Sequence, residues 1–369
     1  MYFAPDRGVN ATHPRTFALN LDAYTRYGAR TVPTSRNLEN RRVVLAARPL
    51  GIPQADHFAL ETTSVPELGD GQILVRNRYL SVDPAMRGWV NAVANYAPPV
   101  PVGDVMRSFA AGEVIASTSD LFTPGDLVSG MFGWQRYAVV EAATARAVSD
   151  RDLPLSTALG VLGVNGVTAY WGLLGVGHPK AGDTVVVSTA AGAVGSVVGQ
   201  IARLKGCHVV GIAGGAAKVR QCLDVFGFDA ALDYKAGDFS VALDAACPQG
   251  VDLYFDNTSG AISDAVVSRL ALRARVVICG TASVAAWEPW PVGPRVERHL
   301  LVKRARIEGF LLFDWMDRYD EAVRDLAAWV RGGQLQYREH VLRGFEQAPD
   351  AIAMLYRGEN QGKLLIEID

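Results

Sequence analysis

The sequence predicts an α/β chain in which a doubly wound parallel sheet follows a smaller all-β domain. Three observations carry this reading. From Thr184 to Phe313, strand-like and helical runs alternate. Before residue 150, several short strands are punctuated by turn signals such as Pro124-Gly125-Asp126 and Gly130, as in a small barrel or sandwich. Between two of the later strands, a glycine-bearing turn opens a helix. A length of 369 residues fits two domains, and a hydrophobic content of 49% is ample for their cores.

In chain order, residues 1–36 are irregular, with Pro5, Pro14 and Pro33 and no sustained period, and read as an extension outside the fold. Arg42–Ala46 and Gln72–Leu80 read as strands separated by a loop rich in Pro, Glu and Gly. Ala111–Ser117, Leu127–Phe132 and Arg136–Val140 follow as short strands. Pro154–Gly177 is helical in character, with a start near Ser156 and Thr157. The alternating region then places strands at Val185–Ser188, His208–Ile212, Ala230–Asp233, Leu253–Asn257, Arg275–Gly280 and Arg306–Phe313. A helix at Arg318–Arg331, a strand at Tyr337–Leu342, a helix at Ala348–Gly358 and a strand at Gly362–Ile368 complete the chain. That tail does not extend the alternation and is expected to return to the first domain.

Composition narrows the function. The apolar runs are short and interrupted, so no segment qualifies as a membrane span. A net charge of −2 leaves no whole-chain footprint for nucleic acid. The basic cluster Arg295, Arg298, Lys303, Arg304 and Arg306 is mixed with Glu297 and Glu308 and reads as a solvated or subunit-facing surface. Cys207, Cys222, Cys247 and Cys279 show no C-x-x-C spacing and read as small buried hydrophobes. With no disulfide scaffold and no secretory signal in MYFAPDRGVN, a cytoplasmic setting is expected.

The chemistry concentrates between Thr184 and Lys218. Thr184–Ser188 is a β-branched run suited to a strand buried on both faces. Ala190, Gly192 and Gly195 form the G-x-G-x-x-G pattern with alanine first. The middle glycine admits a pyrophosphate, and the last lets the helix pack close to the sheet. Val194, Val197, Val198, Ile201 and Ala202 make one helical stripe, with Lys205 and Gly206 as the C-terminal charge and cap. Phosphates would sit on the N–H groups of the helix start. After the second strand, an NAD site would carry an acid for the ribose hydroxyls. Here the run is Ala213-Gly214-Gly215-Ala216-Ala217-Lys218, with no acid and a closing cation, which favours NADP(H). The alternative for Lys218 is a solvated helix start. Asn257 closes a strand at the carboxyl edge, where such sheets bind ligands; its alternative is an ordinary cap.

Taken together, YLSVDPAMRG (Tyr79–Gly88), GVNGVTAYWGLLG (Gly163–Gly175), AAGAVGSVVGQIARLKG (Ala190–Gly206), FDN (Phe255–Asn257), Cys279-Gly280, GFLLFD (Gly309–Asp314) and ENQGKL (Glu359–Leu364) carry a recognisable pattern. The chain resembles the zinc-independent medium-chain reductases, specifically the prostaglandin/leukotriene reductases, plant double-bond reductases and bacterial curcumin reductases. The resemblance covers about residue 38 to the end. It implies a GroES-like β-barrel substrate domain over residues 38–160 and a Rossmann NADP-binding domain over 161–330. Residues 331–369 would return to the substrate domain, after an extension at 1–37. It further implies a homodimer that reduces the carbon–carbon double bond of α,β-unsaturated aldehydes and ketones with NADPH. Carried over by motif, Gly192, Ala193, Val194 and Gly195 would hold the pyrophosphate, and Lys218 and Tyr234 would flank the 2′-phosphate. Asn257, the loop Cys279-Gly280-Thr281, Phe310-Leu311-Leu312 and Asn360 would line the rest of the cofactor.

The sequence departs from the family at Ala85 and in the loop Thr281–Trp287, where the family often has tyrosine, and at Thr189, where it has glycine. Catalytic zinc needs about three side chains, usually Cys and His of the substrate domain. Before residue 200 there is no cysteine, and His13, His57 and His178 are the only histidines, so no metal is expected. Polarisation of a carbonyl would then fall to hydrogen bonds. Tyr96, in NYAPPV, is the candidate catalytic donor; its alternative is an aromatic packed on Pro98 and Pro99. Arg87 and Trp89 border the expected pocket, with a structural ion pair the favoured reading of Arg87. Small-molecule enones or enals are the expected partners. A quinone reductase and a non-catalytic NADPH-binding protein are the competing functions.

Overall fold

The computed structural model describes residues 38–92, 95–284 and 289–368. The expected extension at 1–37 therefore lies outside the described residues. The first strands are β1 (Glu39–Leu45), β2 (Phe58–Ser64) and β3 (Gln72–Ser81), followed by a short helix α1 (Ala85–Trp89). Four strands follow: β4 (Ala110–Ser117), β5 (Leu127–Gly130), β6 (Tyr137–Glu141) and β7 (Arg146–Ala147). β2 corrects the sequence reading, which placed a loop there. After the buried Phe58 it alternates half-buried and exposed residues, and it pairs antiparallel with β1 along its whole length. His57 likewise sits not in an open loop but in a 3-10 turn at Ala55–His57, its Nδ1 accepting from Gln54 N–H at 3.1 Å.

Helix α2 (Val164–Trp171) runs on into a wider π-type turn, Gly172–Gly177. Beyond it the chain alternates: β8 (Thr184–Ser188), α3 (Gly195–Leu204), β9 (His208–Ala213), α4 (Ala216–Arg220), β10 (Ala230–Asp233), α5 (Phe239–Ala246) and β11 (Val251–Asp256). Then come α6 (Gly260–Val267), β12 (Leu270–Ile278), α7 (Glu297–Lys303), β13 (Arg306–Gly309) and α8 (Tyr319–Arg331). The closing elements are β14 (Glu339–Arg343), α9 (Ala348–Arg357) and β15 (Lys363–Glu367). β12 starts five residues before the expected Arg275, and β13 stops at Gly309, its expected continuation being a 3-10 turn over Leu312–Arg318.

The six central strands form one parallel sheet in the order β10-β9-β8-β11-β12-β13, the Rossmann arrangement. Successive residues serve opposite faces, as a strand's period of two requires. Val185 and Val187 of β8 enter one core with Val209, Phe255 and Val277, whereas Val186 enters the other with Val210, Tyr254 and Val276. Each such fully buried aliphatic contributes about 1.5–3 kcal/mol. That double burial is why these strands read as unbroken apolar runs.

The second sheet runs β14-β15-β3-β4-β5-β7, with β6 also on β3. β15 pairs antiparallel with β3, matching Leu365 to Ser81 and Ile366 to Leu80. Leu364 and Ile366 of β15 and Ala351 and Ile352 of α9 share a core with Val43, Ile73 and Trp134. The C-terminal segment is thus built into the sheet of the first strands.

Candidate active site

The parallel sheet reverses its order between β8 and β11, and ligands of such sheets lie in the crevice beyond that point. After β8 the backbone turns at Thr189, whose φ of 53° is left-handed. Glycine adopts that conformation freely, which accounts for the glycine expected here from the resemblance. A Cβ at Gly195 would lie 2.3 Å from the Thr189 carbonyl oxygen, so only glycine allows α3 this close to the turn. Among the described residues, nothing accepts from the N–H groups of Ala193, Val194 or Gly195. Three free donors at the start of a ten-residue helix fit a pyrophosphate.

Beyond the end of β9, Lys235 lies near the Tyr234 ring and its charge acts on Lys218. Lys218 Nζ donates to Gly358 O at 2.8 Å. Burial, with the like charge of Lys235, lowers its pKa. Lys235 Nζ lies 5.7 Å from the Tyr234 ring centroid, and Gly214 leaves room for that ring. Asp233, at the end of β10, is spent on the turn: its Oδ1 accepts from Gly215 N–H and Lys235 N–H, both at 2.9 Å. The site is therefore cationic and suits a 2′-phosphate rather than bare ribose hydroxyls. Sequence reasoning missed Lys235, although it adjoins Tyr234.

The loop after β11 is organised by Asp256, which is fully buried. Its Oδ1 accepts from Tyr254 Oη at 2.9 Å, Thr258 N–H at 2.8 Å and Ser259 N–H at 2.9 Å; its Oδ2 accepts from Ser263 Oγ at 2.6 Å. Asn257 is tied back to β8, donating from its backbone to Ser188 Oγ and from Nδ2 to Ser188 O, both at 2.8 Å. Cys279 N–H donates to Asp256 O at 2.8 Å, and a Cβ at Gly280 would crowd Asn257 O at 2.9 Å. Burial pushes the Cys279 thiol up to about 12, so it stays protonated and inert. Thr281 O accepts from Val284 N–H, closing the turn; residues 285–288, including Trp287, lie outside the described residues. Phe310 and Leu312 point into the core between α2 and α8, and only Leu311 is exposed. Any contact of this run with a cofactor falls to its backbone and Leu311. Asn360 is buried, donating from Nδ2 to Gly362 O at 2.8 Å.

Tyr96 reaches this region from the first lobe. Its ring lies 6.0 Å from that of Phe313. Burial, with smaller contributions from Asp83 and Cys279, raises its phenol above the usual value, while Trp89 works the other way. The hydroxyl thus remains a neutral donor at ordinary pH. Beneath it Asp83 forms a buried ion pair with Lys363, Nζ to Oδ1 at 2.6 Å. Lys363 Nζ also donates to Ser81 Oγ at 2.7 Å and Val82 O at 3.0 Å, and Asn165 Nδ2 donates to Asp83 Oδ1 at 3.2 Å. Residues from β3, β15 and α2 are thereby pinned at one point, which no local pattern announces. Arg87 corrects the sequence reading: its neighbour is the Tyr356 ring, at 5.3 Å, and among the described residues no carboxylate pairs with it.

The comparisons with known proteins agree with this geometry. Residues 41–148 match the family described as N-terminal domain of oxidoreductase, and residues 193–328 that described as zinc-binding dehydrogenase. The residues present do not fit a zinc site: no group of three or more His, Cys, Asp or Glu could hold a metal among the described residues. The chain is 42% identical to an NADPH-dependent curcumin reductase of Escherichia coli over 334 residues, covering 89% of this chain and 97% of that one. It is 37% identical to a tobacco (Nicotiana tabacum) 2-alkenal reductase (NADP(+)-dependent), over 90% of this chain and 99% of the relative. The crystal structure of CurA from Vibrio vulnificus in complex with NADPH superposes with a TM-score of 0.85 at 42% identity, over 89% and 99% of the two chains. The chain belongs to the zinc-independent medium-chain dehydrogenase/reductase family, among its NADP-dependent oxidoreductases.

Proposed function

We propose that the protein reduces the carbon–carbon double bond of α,β-unsaturated ketones or aldehydes, giving the saturated carbonyl compound. The observation that carries this is the Tyr96 hydroxyl, a neutral donor close to Cys279 whose ring lies 6.0 Å from that of Phe313. NADPH supplies the hydride. The free N–H groups at the start of α3 hold its pyrophosphate, Lys218, Tyr234 and Lys235 its 2′-phosphate, and Asn257, Gly280, Thr281, Leu311 and Asn360 border the remainder. Addition to the β-carbon gathers negative charge on the carbonyl oxygen, where the Tyr96 Oη–H donates. Conjugate addition spreads that charge over an enolate, which hydrogen bonds can support, whereas direct carbonyl reduction concentrates it on an alkoxide. The family relative named for 2-alkenals supports this substrate class.

Tyr96→Phe removes the donor and keeps the ring. Turnover of an enone at saturating NADPH is expected to fall about tenfold or more, equivalent to about 1.4 kcal/mol of barrier. An unchanged rate would hand the role to another donor. A homodimer in a cytoplasmic setting is part of the same reading. β13 is an edge strand, and α7, which packs on β12, exposes Leu301 and Val302, a face suited to a second copy of this chain. Sedimentation of the purified protein as a monomer would remove the dimer. Among the described residues no helix is long and apolar enough to cross a membrane.

A further inference from the structure

Among the described residues, two strongly buried cations have acids. Lys363, 4% exposed, is paired with Asp83, and Arg275, 14% exposed, with Asp183. Arg87 is the exception. Only 6% of it is exposed, yet no carboxylate among the described residues meets its guanidinium. It faces the ring of Tyr356, a neutral phenol that donates to Pro84 O at 3.0 Å and interacts with the guanidinium without neutralising it. A cation–π contact returns about 0.5–2 kcal/mol, whereas desolvating an ion costs several kcal/mol. The charge is therefore undercompensated. A second, independent observation lies two residues on. Trp89 is 4% exposed, and its Nε1–H has no acceptor. It acts on the Tyr96 phenol, and Tyr96 acts in turn on that of Tyr356. One five-residue helix thus buries a guanidinium that no carboxylate among the described residues meets and an indole N–H without an acceptor. Both are complementary to an anionic oxygen.

We propose that Arg87 is an anion-binding residue of the active site, its guanidinium donating to an anionic oxygen of a bound molecule. Two sources carry such an oxygen: a phosphate of NADPH, and the substrate's carbonyl oxygen as charge gathers on it. The second rests on the enone reading above; the first does not.

Arg87→Met and Arg87→Lys separate the sources. The readouts are the dissociation constant for NADPH, titrated by fluorescence without substrate, and kcat for but-3-en-2-one at saturating NADPH. A cofactor phosphate predicts that Arg87→Met weakens NADPH binding about tenfold or more, with kcat little changed. The carbonyl oxygen predicts the reverse, a comparable fall in kcat with NADPH binding unchanged. In either arm Arg87→Lys recovers part of the loss, because the charge is kept. Should Arg87→Met fail to fold, Arg87→Gln replaces it. Both readouts within about twofold of the unmodified protein in a folded variant would overturn the proposal. So would a lysine variant as impaired as the uncharged one, which would reduce Arg87 to packing against Tyr356. If the unmodified protein binds NADPH but leaves butenone unreduced, the enone reading fails while the phosphate arm still stands.

Discussion

Lys363→Met is expected to lower the unfolding free energy by about 3–5 kcal/mol, the cost of leaving one partner of a buried pair alone. All three ammonium protons are placed, on Asp83 Oδ1, Ser81 Oγ and Val82 O. Removing them takes the countercharge and one hydrogen bond from the Asp83 carboxylate, which keeps Ser81 and Asn165 as donors. Asp83→Asn should be costly for the converse reason, and the double variant should lose less than the two singles added together. Urea unfolding of the four proteins gives the result, and a single-variant loss below about 1 kcal/mol would contradict the account. Burial alone would raise the Asp83 carboxyl. Lys363, with hydrogen bonds from Lys363, Ser81 and Asn165, overrides it and holds the pKa below the ordinary value. A carboxyl depressed in the folded state stabilises fully above its unfolded pKa, about 4. That contribution is lost as pH falls through the folded value. Acid unfolding of Asp83→Asn should accordingly be less steep than that of the unmodified protein.

Lys218→Ala should raise KM for NADPH roughly 10- to 100-fold, since a hydrogen bond to a charged group contributes about 1.5–3 kcal/mol. KM for NADH should hardly move, because no 2′-phosphate is present to meet the lysine. Lys235→Ala should act in the same direction and less strongly, its side chain being spread over the Tyr234 ring. The two lysines share one site, so their effects are expected to couple. Steady-state kinetics with both cofactors decides the point. Equal use of NADH and NADPH by the unmodified protein would contradict it.

The parallel sheet was legible because burial on both faces writes each strand as a β-branched run, as in Val185–Val187. β2 was not, although Phe58–Ser64 alternates. Its flanks are rich in turn residues, and its pairing with β1 is a tertiary fact. The cofactor motifs located the loops but not the direction of their side chains, so Phe310 and Leu312 read like Leu311 until packing assigned them to the core. Asp83 with Lys363, and Arg87 with Tyr356, meet across most of the chain length. No spacing rule reaches that far. Arg87 read as half of an ion pair because most buried arginines are, and only its surroundings show the missing acid.

The direction of hydride transfer tests the central claim most directly. Reduction of an unsaturated ketone with NADPH deuterated at C4, followed by isolation and NMR of the product, should place the label on the β-carbon of a saturated ketone. Deuterium on the carbinol carbon of an allylic alcohol would contradict the account.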